Sequence, residues 1–140
     1  MTDKVTPFLW FDSKAEEAAR FYVSLFANSK ITSASPMSVT FELDGRAFFA
    51  LNGGPSYQLS PAFSMYVSCK DQAEIDYFWD ALLSDGGEAS RCGWLVDRFG
   101  LSWQVIPEEL PQIISDPRGL QAMLKMTKLD LAALRGSIRA

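Results

Sequence analysis

Glu17-Ala18-Ala19-Arg20-Phe21-Tyr22-Val23-Ser24-Leu25 and Glu74-Ile75-Asp76-Tyr77-Phe78-Trp79-Asp80-Ala81-Leu82 carry one pattern twice, 57 positions apart. Laid over each other, Glu17 falls on Glu74, Ala18 on Ile75, Phe21 on Phe78, Tyr22 on Trp79 and Leu25 on Leu82. Each stretch predicts an amphipathic helix. In the first, Ala15, Ala18, Tyr22, Leu25 and Phe26 recur at three- and four-residue spacing, while Glu16, Glu17 and Arg20 face water. In the second, Ile75, Phe78, Trp79, Leu82 and Leu83 form the apolar side. A helix that returns in step with its own pattern points to a duplicated supersecondary unit.

The flanks of both helices repeat as well. Val5-Thr6-Pro7-Phe8-Leu9-Trp10-Phe11 is short, β-branched and aromatic, which predicts a buried strand. Ser13 with Glu16 has the S-x-x-E spacing of a capping box, and Asn28-Ser29 ends the helix. After a short strand at Ile31, Val39, Phe41 and Leu43 alternate with Thr40 and Glu42. Asp44-Gly45 then supplies the left-handed pair of a two-residue hairpin, and 46–51 is the returning strand. Asn52-Gly53-Gly54-Pro55 closes the first unit and 58–61 reads as a linker. Next come a strand at 63–69, a cap at Asp71 with Glu74, and a stop at Gly86-Gly87. Strands at 94–96 and 101–106 flank the turn Asp97-Arg98-Phe99-Gly100. Each half therefore reads β-α-β-β-β. The expected architecture is α+β: one domain, 1–140, made of pseudo-repeats 5–55 and 62–107 with a C-terminal helical extension, 108–140. In that extension Asp116 precedes Pro117, Leu120, Met123 and Leu124 form a narrow stripe, and Asp130 starts a last helix through Leu131 and Leu134. The stripe is expected to pack on the parent sheet, with a dimer contact as the alternative.

Composition removes several functions. The 140 residues contain no histidine, which excludes His-based triads, a His general base and His metal ligands. Lys+Arg 13 against Asp+Glu 17 gives a net charge of −4 and a pI near 4.8, without the basic footprint of a nucleic-acid or anionic-membrane binder. No apolar run reaches the length of a membrane span, and the N-terminal stretch lacks the basic and apolar regions of a secretory signal. Cys69 and Cys92 form no CxxC pair and are expected to be reduced, largely buried thiols. The expected compartment is the cytoplasm.

Several phrases are specific: Pro7-Phe8-Leu9-Trp10-Phe11-Asp12, Ala15-Glu16-Glu17-Ala18, Ala50-Leu51-Asn52-Gly53-Gly54-Pro55, Cys92-Gly93-Trp94-Leu95 and Asp97-Arg98-Phe99-Gly100-Leu101-Ser102-Trp103-Gln104-Val105. With the duplicated βαβββ plan, they resemble the PhnB-like branch of the vicinal oxygen chelate superfamily, the glyoxalase/bleomycin resistance/dioxygenase-like fold. That branch also carries the label 3-demethylubiquinone-9 3-methyltransferase. The resemblance spans 5–107, and Ala122-Met123-Leu124-Lys125-Met126 and Asp130-Leu131-Ala132-Ala133-Leu134 extend it into the tail. It implies a cavity ringed, in metal-using relatives, by His or Glu from four strands. Counting back from Phe21-Tyr22 and Phe78-Trp79 places two of those positions on Pro7 and Ser64, and the hairpins place the others on Phe49 and Gln104. Pro and Phe offer no donor, and neutral hydroxyl and amide oxygens bind transition metals poorly, so neither a metal nor another cofactor is expected. The resemblance also implies a homodimer.

Strand alternation outward from these positions gives the candidate ligand pocket: Leu9, Phe11, Phe49, Ser64, Tyr66, Ser102 and Gln104. A densely packed interior holding no ligand remains the plain alternative. Cys92 has no histidine to activate it. Asp97 and Arg98 read as ordinary hairpin charges, and Glu16 and Glu17 as solvated helix residues. Asn52-Gly53-Gly54-Pro55 lacks the Lys-Ser/Thr of a phosphate loop. The first strand runs into Asp12-Ser13-Lys14-Ala15 rather than the glycine-rich turn of a typical SAM-dependent methyltransferase. Two functional classes stay open: a metal-independent binder of a small apolar or aromatic molecule, and an enzyme of the superfamily acting through Tyr66, Ser64 and Gln104 or through a carboxylate-held metal.

Overall fold

Asp44 and Gly45 take φ values of 51° and 80°, the paired left-handed geometry of a type I′ turn, and so build the expected hairpin. A computed structural model describes residues 4–139, which fall into two compact units, one ending at Leu59 and one beginning at Ser60. The first contains β1 (Phe8–Phe11), α1 (Ala15–Leu25), β2 (Lys30–Ala34), β3 (Ser38–Leu43) and β4 (Arg46–Asn52). Its sheet has the order β1-β4-β3-β2, parallel between β1 and β4 and antiparallel elsewhere. The β2–β3 connection needs only 35–37, because Ser35 N–H bonds Ser38 O at 2.8 Å and closes it tightly.

The second unit repeats the plan with β5 (Ser64–Cys69), α2 (Gln72–Leu83), β6 (Glu88–Ala89), β7 (Trp94–Val96) and β8 (Ser102–Pro107), in the order β5-β8-β7-β6. Again the first and last strands pair parallel. It then adds α3 (Leu110–Ile114), α4 (Pro117–Leu124) and α5 (Leu131–Ser137). No helix among the described residues is long and apolar enough to cross a membrane.

Each module buries one helix on one sheet face. In the first, Tyr22 of α1 meets Phe41 at 6.5 Å, and Phe41 stacks on Phe48 at 5.5 Å. Val39, Leu43 and Ala50 complete that core. In the second, Ile75, Trp79 and Leu82 are buried with Val67, Leu95, Trp103 and Val105. Each large apolar side chain removed from water contributes about 1.5–3 kcal/mol, which holds helix and sheet together against the entropy of ordering them.

The cap expected at Ser13 is replaced by a distant group. Lys14 occupies the N-cap without a side-chain bond, and the Ala15 N–H donates instead to Asn52 Oδ1 at 2.8 Å. Asn52 Nδ2 donates in turn to Pro36 O at 3.0 Å, so one amide joins the helix start to the β2–β3 turn. Glu16 pairs with Arg20 along the helix. At α2 the local reading holds: Asp71 Oδ1 accepts from Glu74 N–H, while Glu74 Oε1 accepts from Lys70 N–H. Asp116 and Asp130 cap α4 and α5 as expected.

The tail packs on its own module. Ile106 of β8 joins Leu110, Ile113, Leu129, Leu131 and Leu134 in one buried cluster. Cys92 and Gly93 donate to Met126 O and Thr127 O, both at 2.8 Å. Gln72 of α2 grips the chain on both sides of Asp130, donating to Leu129 O at 3.1 Å and accepting from Leu131 N–H at 2.8 Å. The Lys128 ammonium, bonded at 2.8 Å, holds the Asp76 carboxyl below its usual range, helped by Gln72. The α4 stripe needs correction: Met123 packs on the cluster, whereas Leu120 and Leu124 are exposed. Gly119 and Ala122 take their place toward the protein, because α4 lies too close to α3 for larger side chains there.

Candidate functional site

The face of the second sheet turned away from α2 collects the polar candidates. In the β5–β8 ladder Ser64 lies opposite Ser102 and Tyr66 opposite Gln104, and cross-strand partners share a face. Val67, Cys69, Trp103 and Val105 point the other way, into the α2 core. Gln104 Nε2 donates to Ser64 Oγ at 3.0 Å. Trp94 and Val96 of β7, opposite Gln104 and Ser102, extend the face with apolar surface. Four expected residues, Ser64, Tyr66, Ser102 and Gln104, thus form one strip on adjacent strands.

The first sheet divides the other three. Phe49 lies on the face away from α1, its ring edge-on to Phe8 at 6.1 Å. Leu9 and Phe11 are 2% and 4% exposed and belong to the opposite, helix-covered face, where Leu9 pairs with buried Ala50. Their expected place beside Phe49 is therefore corrected. The residues that share the face of Phe49 are Phe8, 59% exposed, and Trp10. Trp10 meets the ring of Tyr57 at 4.9 Å and donates from Nε1 to Gly54 O.

The cause is a one-residue difference in loop length. Three residues, 12–14, separate β1 from α1, but only two, 70–71, separate β5 from α2. Phe49 pairs with Phe8 just as Gln104 pairs with Tyr66, so Phe8 is the counterpart of Tyr66, and Thr6 rather than Pro7 is the counterpart of Ser64. Counting back from the helix therefore stops one residue short, and one residue on a strand exchanges the faces. A sharper signal lay in the hairpin count that reaches Phe49.

With this correction the positions that the resemblance implies for metal ligands become Thr6 and Phe49 in one module, Ser64 and Gln104 in the other. Two hydroxyls, an amide and a phenyl ring do not make a transition-metal donor set. Among the described residues no three His, Cys, Asp or Glu side chains cluster as a metal would require.

Two further groups are settled by their surroundings. Partial burial, with a smaller contribution from Cys69, raises the Tyr66 phenol above its ordinary value of 10.0, so at neutral pH it is a protonated hydrogen-bond donor. Asp97 is not a solvated hairpin charge but 3% exposed. Its Oδ1 accepts from Phe99 N–H at 2.8 Å and Leu101 N–H at 3.1 Å, and its Oδ2 from Trp103 Nε1 at 2.8 Å.

The thiols differ in the same way. Burial first, then the nearby Glu74 carboxylate, pushes Cys69 up to about 12, whereas Cys92 is half-buried. Treatment of the native protein with an aromatic disulfide reagent at pH 8 is expected to modify Cys92 first and to reach Cys69 only on unfolding. Equal rates at both would contradict this. The raised value also fixes a sign. Below pH 9.0, the ordinary thiol value, folded and unfolded Cys69 both hold the proton. Between there and about 12 only the folded state does, so this group makes stability fall with rising pH across that window.

Comparison with known proteins agrees with this fold. A family model described as 3-demethylubiquinone-9 3-methyltransferase matches residues 3–106. The PhnB protein from Bacillus cereus is 33% identical, with a TM-score of 0.67 over 74% of this chain and 99% of its own. A glyoxalase-related enzyme from Fulvimarina pelagi (12% identity, TM-score 0.52, 74% of this chain and 87% of its own) is similar in fold. So is a glyoxalase/bleomycin resistance protein from Albidiferax ferrireducens T118 (15%, 0.51, 72% and 95%). No curated protein matches the chain.

Proposed function

Because the chain belongs to the PhnB-like family described as 3-demethylubiquinone-9 3-methyltransferase, and folds as a member of the glyoxalase/bleomycin resistance superfamily, we propose that it binds a small, largely apolar or aromatic molecule without a metal. The observation that carries this reading is the face of β5 and β8 turned away from α2. There Ser64, Tyr66, Ser102 and Gln104 bring hydroxyl and amide groups beside apolar surface, and none of the four positions that the resemblance implies for metal ligands carries a carboxylate or imidazole. Few polar groups on an apolar wall are the usual make-up of a small-molecule site. The methyltransferase description gains no support from β1, which passes through Asp12-Ser13-Lys14 into α1 rather than through a glycine-rich turn. In the competing enzymatic reading, Tyr66 is the proton donor.

Thermal melts separate the readings. Indole, a neutral aromatic probe, is expected to raise the melting temperature saturably, with about 2.7 kcal/mol of stabilisation at a hundredfold excess over Kd. Zn²⁺, Mn²⁺, Ni²⁺ and EDTA are expected to leave it unchanged, and a saturable metal-dependent rise of several degrees would overturn the metal-free reading. We also propose a cytoplasmic homodimer. Light scattering should then give about twice 15.6 kDa, and the monomer mass at micromolar concentration would contradict the dimer.

A further inference from the structure

Ser102 is 1% exposed, and its Oγ is a buried side-chain polar atom with no hydrogen-bond partner among the described residues. A hydroxyl in that position carries a desolvation cost that no bond offsets, and alanine would avoid it. Its surroundings are polar on one side only. Ser64 lies opposite it on β5, and Gln104 follows it on the same face of β8. The Gln104–Ser64 bond uses one of the two amide hydrogens. That leaves the second N–H, the Gln104 Oε1 and the Ser64 O–H. With the Ser102 hydroxyl, these make a short row of uncharged donors and acceptors, running from buried Ser102 through half-buried Ser64 and Gln104 to Tyr66, 56% exposed.

The sheet residues beside the row carry a single charge. Trp94 and Val96, its neighbours on β7, carry none. The acidic residue of the same sheet face, Glu88, lies opposite Val96 on β6, two strands from β8 and exposed, and there it disfavours an approaching anion. A cation or carboxylate seated on neutral groups would give up its hydration without a counter-charge.

We infer that the row of Ser64, Ser102 and Gln104 selects an uncharged group that both donates and accepts hydrogen bonds, of the carboxamide class, carried on the apolar or aromatic ligand. This rests on the binding reading above and adds the chemistry of the ligand's polar end.

Three probes share a phenyl ring and differ in charge: benzamide, benzoate and benzylammonium. Calorimetric titration of the wild-type protein should show benzamide binding at least tenfold more tightly than either ion, the equivalent of one well-made hydrogen bond. Ser102→Ala should weaken benzamide about tenfold while raising the melting temperature of the ligand-free protein by a degree or more. Gln104→Glu should weaken benzamide and reverse the preference toward benzylammonium. Binding of benzoate or benzylammonium to wild type as tightly as benzamide overturns the inference and leaves the binding reading standing. So does binding of indole without benzamide. If indole fails as well, both fall. A lower ligand-free melting temperature for Ser102→Ala would assign the hydroxyl a structural partner and overturn the inference independently of any ligand.

Discussion

Asp97→Ala is expected to destabilise the protein by roughly 2–4 kcal/mol, a large part of the stability of an ordinary domain. The carboxylate accepts two backbone N–H groups of its own hairpin and the indole N–H of Trp103, which is itself 1% exposed. Removing it strands buried donors, and the loss is larger than three average bonds lost at a wet surface. Asp97→Asn should cost about half as much. Its carbonyl can still serve Phe99 and Leu101, but its NH₂ then faces the Trp103 N–H, donor against donor. Urea titration followed by tryptophan fluorescence measures both variants. A midpoint for Asp97→Ala within about 0.5 kcal/mol of wild type would refute the claim that this carboxylate ties β7 to β8.

Gly93→Ala should cost about 2–3 kcal/mol and loosen the tail. Gly93 has φ +85°, and a Cβ there would lie 2.9 Å from both Val105 O and Ile106 Cδ1 and 3.2 Å from Leu129 Cδ1. The backbone has no freedom to turn away, since Gly93 O accepts from Val105 N–H and Gly93 N–H donates to Thr127 O, both at 2.8 Å. Hydrogen exchange should show the Cys92 and Gly93 amides losing protection together with α5. Gly136→Ala is the control: its Cβ would meet nothing within 4 Å, so helix propensity makes it neutral or slightly stabilising. Unchanged protection and stability in Gly93→Ala would show that the tail is held without this junction.

The features legible in the sequence were those written in neighbouring residues. The helical period of α1 and α2, the Asp44-Gly45 turn and the caps at Asp71, Asp116 and Asp130 each depend on residues a few positions apart. The α1 cap does not, because Asn52 reaches Ala15 from the far end of the module. Nor does the environment of Asp97, which is buried because Trp103 and the Leu101 backbone fold over it. In β1, Phe8, Leu9, Trp10 and Phe11 are all apolar, so alternation gave no sign of which two faced α1, and the count from the helix settled it the wrong way. The polar strip was readable because Ser64, Tyr66, Ser102 and Gln104 alternate with Met65, Val67, Trp103 and Val105.

The extra residue between β1 and α1 says how such a duplication is free to diverge. Insertions within a strand are quantised by parity: an odd one turns every later side chain inside out, and an even one leaves core and surface where they were. At 12–14 the added residue falls in the turn, so β1 still buries Leu9 and Phe11 and α1 still buries Tyr22. What it does change is the bookkeeping between the halves, and symmetry-based alignment of the two strands must be anchored on the ladder rather than on the helix. On the faces turned away from the helices, Phe8 matches Tyr66 and Thr6 matches Ser64, whereas Phe49 stands where the other half has Gln104, so the two copies differ there by an aromatic ring against an amide.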